Sequence, residues 1–525
     1  MATVEKQPHT NARGKAAGGR ATSTDHSSER STIPVENPAT GEIIAEVPKV
    51  EAAAIEGMVA RARAAQPAWQ ALGYEGRGRV MHAARVWLMQ NRDRMRRTIV
   101  EETGKTPEDA QLAEVFMVAD SLSFWAKKAP KYLADERVRS HSPFVFGKKL
   151  FVRYGPMGVV GVIGPWNYPL LNCFGDSIAA LMAGNAVILK PSEVTPLSTL
   201  LIAEGMKAAG LPEGVLQVAA GEGDAGAALV EQADMIMFTG STRTGKKIMA
   251  KASETLTPVS LELGGKDPMI VLGDADLERA ANAAVYWAMS NGGQMCTSVE
   301  RVYVEDSAYD QFVAKVVDKA GALRQGVPGE PGAVDVGAVT FPPQIELIED
   351  HVRDAVDKGA QVVVGGKRRE GSGRFFEPTV LTGVDHTMKI MVDETFGPTL
   401  PIMRVSGAEE ALRLANDSRY GLNSSVWTKD AAKGERLATR IEAGSTCVND
   451  CVVNYGATEM PMGGIKESGI GVRHSAKGIQ KYCTSHSVLV TRRAQKRELY
   501  YFPYSKRGTK LFERLMVLMH GRAKR

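Results

Sequence analysis

No stretch of the 525 residues approaches the roughly 18 consecutive apolar residues that a membrane-crossing helix needs, which excludes a helical integral membrane protein. Cysteine is scarce. Cys173, Cys296, Cys447, Cys451 and Cys483 are odd in number and follow neither zinc-type spacing nor a disulfide framework, so free thiols in a reducing, cytoplasmic setting are expected, with no metal. Large apolar residues are nearly missing from residues 1–32, which are rich in Gly, Ser, Thr and Ala and read as a disordered leader. That leader lacks the apolar core of a secretory signal, and Glu5, Asp25 and Glu29 count against a transit peptide. A net positive charge is missing from the body. Residues 491–525 hold eleven Lys/Arg against two Glu, or +9 of the overall +5, so the 490 residues before them carry −4. A body of that sign argues against nucleic acid as a partner.

The composition that remains, 44% hydrophobic and 24% charged, is that of a globular chain too long for one core, so two or three domains are expected. Order is expected to start near "IPVENPATGEIIAEVP", and helical spacing from Val50 to about Leu133 predicts several helices. "FVFGKKLFVRY" reads as two short strands around a Gly-Lys turn. Apolar runs then recur every 20–30 residues, at Met157–Ile163, Ala186–Leu189, Val215–Val218, Met235–Phe238 and Val259–Glu262, with helical segments between. That alternation means a parallel sheet covered on both faces, with ligands beyond the carboxyl ends of its strands. "MIVL", "RVYV", "QVVVGG" and "STCVN" predict a second α/β region.

Several strands of the first region run into polar or glycine-rich ends: "GVIGPWNYP" with Asn167, "VILKPSE" with Lys190 and Glu193, "MFTGSTRTG" with Ser241, and "SLELGGK" with Glu262. "GEGDAG" (Gly221, Gly223, Gly226) fits a dinucleotide turn but lacks the acidic residue expected further on. "GSTRTG", with Gly240, Ser241 and Gly245, opens a helix whose N–H groups suit a pyrophosphate, and it would serve equally as a plain helix cap. Lys190 and Glu193 suit the hydroxyls of an adenosine ribose, or a surface ion pair. Cys296, in "NGGQMCTS", lies among glycines and small polar residues instead of in an apolar run, which suits a reactive thiol.

Over about residues 33–490 the chain resembles the NAD(P)-dependent aldehyde dehydrogenase superfamily, through "PWNYP", "LKPSE", "FTGST", "LELGGK", "NGGQMCTS", "DETFGP" and "PMGGIKESGIG" in that order. The resemblance implies a doubly wound dinucleotide-binding domain (33–138 and 158–268), a second α/β catalytic domain (269–469) and a small β oligomerisation element (139–157 and 470–495). It implies Cys296 as the nucleophile, Asn167 as an oxyanion donor and Glu262 as the base that activates water. Glu394 and Phe396 match the nicotinamide end of the coenzyme; Trp166, Lys190, Glu193 and Ser241 match the adenosine and pyrophosphate contacts. Glu193 favours NAD over NADP because its carboxylate repels a 2′-phosphate, and Lys190 softens that repulsion enough to leave NADP in play. Tyr168, Leu171 and Phe174, with no arginine after "PWNYP", suggest an apolar entrance and a medium-chain or aromatic aldehyde. The alternatives are succinate semialdehyde and a CoA-acylating reaction, the latter opposed by Glu262. A homodimer or homotetramer follows from the resemblance as well.

The tail, 496–525, lies beyond that resemblance. "TKLFERLMVLMHGRAKR" sets Leu511, Phe512, Leu515, Met516 and Met519 on one side of a helix, with Lys510, Arg514, Arg522, Lys524 and Arg525 around or after them. Such a basic amphipathic helix suits peripheral contact with an anionic membrane, or packing on the enzyme itself.

Overall fold

The computed structural model describes residues 31–145, 147–492, 494, 496–498 and 500–521. The leader expected over 1–32 falls almost wholly outside the described residues, as do Arg522, Lys524 and Arg525 of the tail. Thr32 already opens a strand, Thr32–Glu36, that pairs antiparallel with Ile43–Pro48. Helices Ala52–Ala71, Gly73–Gln90, Arg92–Thr103 and Met117–Tyr132 follow, as the helical spacing predicts.

Two sheets dominate. In the first, the spatial order is Gly469–Ile470, Val259–Glu262, Met235–Thr239, Val159–Ile163, Ala186–Lys190, Leu216–Val218, all parallel except the first. Val159–Ile163, Ala186–Lys190 and Met235–Thr239 are buried at every position, which is why they read as unbroken apolar runs. The chain leaves Val159–Ile163 toward one side of the sheet and returns to its other side at Met235–Thr239. A crevice opens at such a reversal, beyond the carboxyl ends of the strands. The second sheet runs Gln361–Val364, Thr379–Thr382, Thr399–Val405, Val299–Glu305, Asp267–Val271, Ser425–Trp427, Cys447–Val448, with only the Gln361–Val364 edge antiparallel.

A third, antiparallel sheet is built from Cys483–Thr491, Lys148–Pro156 and Glu136–Val138. The hairpin read from "FVFGKKLFVRY" is therefore a correction. Pro143–Val145 forms one 3₁₀ turn, and Lys148–Pro156 is a single strand paired along its whole length with Cys483–Thr491. Nine cross-strand partners at long range outweigh a marginal two-stranded turn. Residues 470–482, grouped with this sheet in the sequence reading, lie elsewhere: Gly469–Ile470 joins the first sheet, and Ser475–Gln480 is a helix.

The two main sheets are joined by a short buried polar segment. The helix Arg92–Thr103 stops at Gly104, whose φ of 72° needs no Cβ. Beyond it Lys105 Nζ lies 2.6 Å from Glu114 Oε1, both side chains fully buried, and donates to the Asn167 carbonyl at 2.8 Å. Glu114 Oε2 accepts from the Leu170 and Leu171 amides at 2.9 and 3.3 Å. On the other side, Asp109 accepts from the Ser290 hydroxyl and the Asn291 amide at 2.8 and 2.9 Å. Thr340 donates to the Thr103 carbonyl at 2.6 Å, and the Ala338 amide to that of Gly104 at 2.9 Å. One segment thus grips a turn of the first sheet and a loop of the second.

Removing one partner of a buried pair strands the other's charge. Lys105→Met is expected to cost about 3–5 kcal/mol of stability, and Lys105→Met with Glu114→Leu to recover most of it. Denaturant unfolding of the three proteins measures this; a single variant within about 1 kcal/mol of wild type would show that the pair does not constrain the fold.

Candidate active site

The loop after helix Leu277–Met289 carries Cys296. Asn291, Gly292 and Gly293 follow one another in the left-handed region, at φ 52°, 63° and 70°, and turn the chain back sharply. A Cβ at Gly293 would lie 2.0 Å from the Gly397 carbonyl oxygen, so only glycine lets these backbones meet. Gln294 pins the loop: its amide donates to the Asn291 and Ala338 carbonyls at 2.8 and 3.2 Å and accepts from the Thr340 amide at 2.7 Å. Asn167 comes from the turn after Val159–Ile163. Its Nδ2 donates to the Gln294 carbonyl at 2.9 Å, and its own carbonyl receives Asn291 Nδ2 at 3.2 Å. The side chain is thereby held two residues from Cys296, with the second of its two N–H groups still available.

Cys296 is partly accessible, whereas the other four cysteines are buried, and all five are free thiols. Burial of its sulfur pushes the thiol up to about 12; Arg473 pulls it down, and Asp267, Glu394 and Glu262 push it further up. Glu262 ends the strand Val259–Glu262. Its neighbours Gly264 and Gly265 admit the rest of the site: a Cβ on Gly265 would strike the Cys296 carbonyl at 2.3 Å, and one on Gly264 would strike Glu394 Oε2 at 2.3 Å. Glu262 Oε1 has no hydrogen-bond partner among the described residues. Burial raises its carboxyl to about 7, against the fields of Arg473 and Lys481 and with that of Asp176.

Asp176, Arg473 and Lys481 are the residues that the sequence reading missed. Arg473 Nε and Nη2 meet the two oxygens of Asp176 at 2.9 and 3.0 Å, and Nη2 also donates to Thr239 Oγ1. Lys481 donates to Ser260 Oγ at 3.1 Å, and burial lowers its ammonium to about 8. Both cations reach the site because Gly469–Ile470 pairs antiparallel with Leu261–Glu262 and brings the following residues back beneath the carboxylate.

The residues matched to the coenzyme line the same strand ends. Lys190 is buried with Nζ 3.2 Å from the half-exposed Glu193 carboxylate. Ser241 caps the helix Thr242–Ser253 by accepting from the Thr244 amide, and Gly240 precedes it. Gly245 lies under Leu263 with its amide bonded to the Ser241 carbonyl, so it serves the packing of helix on strand and offers no free donor. Gly223 opens the helix Gly223–Gln232 and faces open space. Trp166 stacks on Phe341 at 5.7 Å and meets Phe396 edge-on at 5.4 Å. Glu394 Oε1 accepts from the Gly265 amide at 2.8 Å, and burial beside Glu300 raises its carboxyl to about 8. The loop that carries it is fixed by Glu300, which accepts from the Thr395 and Phe396 amides at 2.9 Å each and pairs with Lys266 at 2.5 Å. A helix N-terminus at Thr242, the Lys190–Glu193 pair and an aromatic wall beside Glu394 fit a dinucleotide.

A cavity of about 40 Å³ adjoins the charged cluster, lined by Met117, Trp125, Leu171, Gly175, Tyr455 and Arg473 among others. Tyr168 is buried under the Lys105 ammonium, 4.0 Å from its ring centre. Phe174, read as a pocket residue, is a correction: it is fully buried in the core of the first domain. In the helical turn Leu170–Gly175, Leu171 and Gly175 line the cavity and Phe174 does not. Among the described residues, no group of three His, Cys, Asp or Glu side chains could hold a metal, and no helix is long and apolar enough to cross a membrane.

Residues 24–488 match the model of the Aldehyde dehydrogenase family. The 4,4'-diapolycopene aldehyde oxidase of Methylomonas sp is 39% identical over 93% of this chain and 92% of its own. A putative succinate-semialdehyde dehydrogenase [NADP(+)] of Mycolicibacterium smegmatis is 42% identical over 88% of this chain and 89% of its own. The NAD+ complex of an aldehyde dehydrogenase from Bacillus cereus superposes with a TM-score of 0.84 at 33% identity, covering 88% of this chain and 94% of that one.

A thiol raised to about 12 is almost wholly protonated at neutral pH. Alkylation of Cys296 by iodoacetamide, in protein without coenzyme, is expected to quicken about tenfold per pH unit from pH 7 to 10, with Cys296→Ala as the blank. A plateau near pH 8 would mean that the resting sulfur is already a thiolate.

Proposed function

Because the chain belongs to the aldehyde dehydrogenase family, whose members are NAD(P)-dependent enzymes, we propose that it oxidises a medium-chain or aromatic apolar aldehyde to the acid through Cys296. The sulfur of Cys296 attacks the carbonyl carbon. A C–S bond forms, the carbonyl π pair moves onto oxygen, and the thiol proton passes toward Glu262. The free N–H of Asn167 and the Cys296 amide hold the oxyanion. NAD, when bound, supplies the acceptor of the hydride that leaves this carbon. Trp166, Lys190, Glu193, Gly223, Gly240, Ser241, Glu394 and Phe396 are the residues that would hold it. Glu262 gives up the thiol proton to solvent. The remaining thioester on Cys296 is released when the carboxylate takes a proton from water, whose oxygen displaces sulfur as a thiolate that is then reprotonated. With its carboxyl raised to about 7, Glu262 becomes a base as pH rises through neutrality.

The observation that carries the substrate class is the balance of charge beside the cavity. Arg473 is already bidentate with Asp176, and Lys481 sits in the fields of Asp176 and Glu262. A substrate carboxylate would enter as a third anion facing two cations, while Met117, Trp125, Leu171 and Tyr455 offer apolar contact. Succinate semialdehyde is the second reading, favoured by Lys481, which lies in the same wall without a carboxylate in salt-bridge range among the described residues. The relatives' names point both ways. Association of subunits through the sheet Glu136–Val138, Lys148–Pro156 and Cys483–Thr491 belongs to the same proposal, since its edges are exposed and unpaired.

NADH absorbance over a panel of aldehydes tests the substrate class. Hexanal or benzaldehyde should exceed succinate semialdehyde in kcat/KM by about tenfold or more, the scale of one uncompensated charge contact, and the reverse order would favour the second reading. Glu262→Gln should accumulate an acyl adduct on the Cys296 peptide by mass spectrometry and lose the rise of kcat between pH 6 and 7. Normal turnover without adduct would mean another base. Glu193→Ser should raise the NADP-to-NAD ratio of kcat/KM; an unmoved ratio would take Glu193 away from the ribose.

A further inference from the structure

The C-terminal helix Lys506–His520 is turned inside out. At about 100° per residue, Leu511, Phe512, Leu515, Met516, Leu518 and Met519 share one arc of about 160°, and Lys506, Arg507, Lys510 and Arg514 share the other side. A helix of that pattern in a globular protein lays its apolar arc on the core. Here no residue of the helix is buried, and Leu515, Met516 and Leu518 are 40, 56 and 65% exposed. It is tethered to the body through Phe512, whose ring lies 5.4 Å from that of Phe144, and through the Lys148–Glu498 pair just before it. Ser505 caps it by accepting from the Gly508 amide at 3.0 Å, so the helix is closed at its start without help from a neighbour.

The segment leading into the helix adds a second exposed apolar group. Tyr500, Tyr501, Phe502 and Tyr504 form an aromatic run, with Phe502 and Tyr504 77 and 74% exposed and Tyr500 6.3 Å from Phe144. Tyrosine joins an apolar ring to a wet hydroxyl, the combination that sits at the level of lipid headgroups. Lysine, by contrast, is depleted at the centre of protein–protein contacts. We propose that this face, the aromatic run together with the apolar arc, is a docking surface for an anionic lipid bilayer. The arc would lie in the headgroup boundary, and Lys506, Arg507, Lys510 and Arg514 would reach the surrounding headgroups. The inference goes beyond the substrate reading and stands without it, although an apolar aldehyde would then be drawn from the phase in which it dissolves.

Flotation of the full-length protein with vesicles tests it, using phosphatidylcholine alone or mixed with phosphatidylserine. The wild type should float with the mixed vesicles at low salt and be released at high salt. Lys510→Glu/Arg514→Glu should weaken binding by about tenfold or more, each lost basic contact being worth severalfold. Leu515→Glu/Met519→Glu should abolish flotation while solution mass and turnover of a water-soluble aldehyde stay unchanged. Leu518→Gln, at a position too exposed to affect folding, should give a partial loss. Wild-type protein left in the pellet at low salt would overturn the proposal. So would flotation indifferent to Leu515→Glu/Met519→Glu, or a fall in solution mass with that variant, which would assign the face to a second copy of the chain. Flotation reads attachment whichever aldehyde is oxidised, so its failure and the failure of the substrate reading are separate results.

Discussion

The surroundings of Cys296 depend on five buried polar residues between positions 103 and 114, namely Thr103, Lys105, Thr106, Asp109 and Glu114, wedged between the two sheets. Desolvating Lys105 and Glu114 is costly, and the cost is offset only while both keep their partners: each other, the Asn167 carbonyl and the Leu170 and Leu171 amides. Asp109 extends the same constraint to Ser290 and Asn291. A small displacement of either domain would leave several buried groups unpaired at once. The distance between Asn167 and the Cys296 loop is therefore fixed by the polar seam and not by the loop's own stiffness. Glycine makes the approach sterically feasible, as at Gly265 against the Cys296 carbonyl, and the seam makes it stable.

Around the carboxylate a second constraint operates, electrostatic in kind. Glu262, Asp176, Arg473 and Lys481 form a buried group with two members of each sign. Burial alone would push Glu262 far up, and the two cations return it to about 7, where it ionises in the range in which a hydrolytic base works. The same Arg473 opposes the upward shift of Cys296. One guanidinium thus bears on both Cys296 and Glu262, and its pairing with Asp176 leaves it unable to swing toward a substrate without stranding a buried carboxylate.

What could be read from the amino acids alone divides along physical lines. Strands such as Val159–Ile163 and Met235–Thr239 are buried on both faces, so they appear as uninterrupted apolar runs, and their polar ends mark the crevice. The roles expected of Asn167, Glu262 and Cys296 came from the family resemblance of "PWNYP", "LELGGK" and "NGGQMCTS", since the polar or glycine-rich setting of each residue alone left structural readings open. The seam was not visible: "TGKTPEDAQLAE" looks like solvated surface, since nothing local separates a buried Lys–Glu pair from an exposed one. Arg473 was hidden for a different reason, its place being set by the pairing of Gly469–Ile470 with a strand some two hundred positions earlier. Phe174, read as a pocket residue, packs into the core instead, and the "FVFGKKLFVRY" hairpin gave way to a distant strand that offered Lys148–Pro156 a longer partner.

The claim that the polar seam holds Asn167 as an oxyanion donor beside Cys296 is tested most directly by steady-state NADH formation in Asn167→Ala. The account predicts a kcat lower by a factor of about 10²–10³, the usual cost of one such donor, with NAD affinity and Cys296 alkylation close to wild type. An unchanged kcat would contradict it.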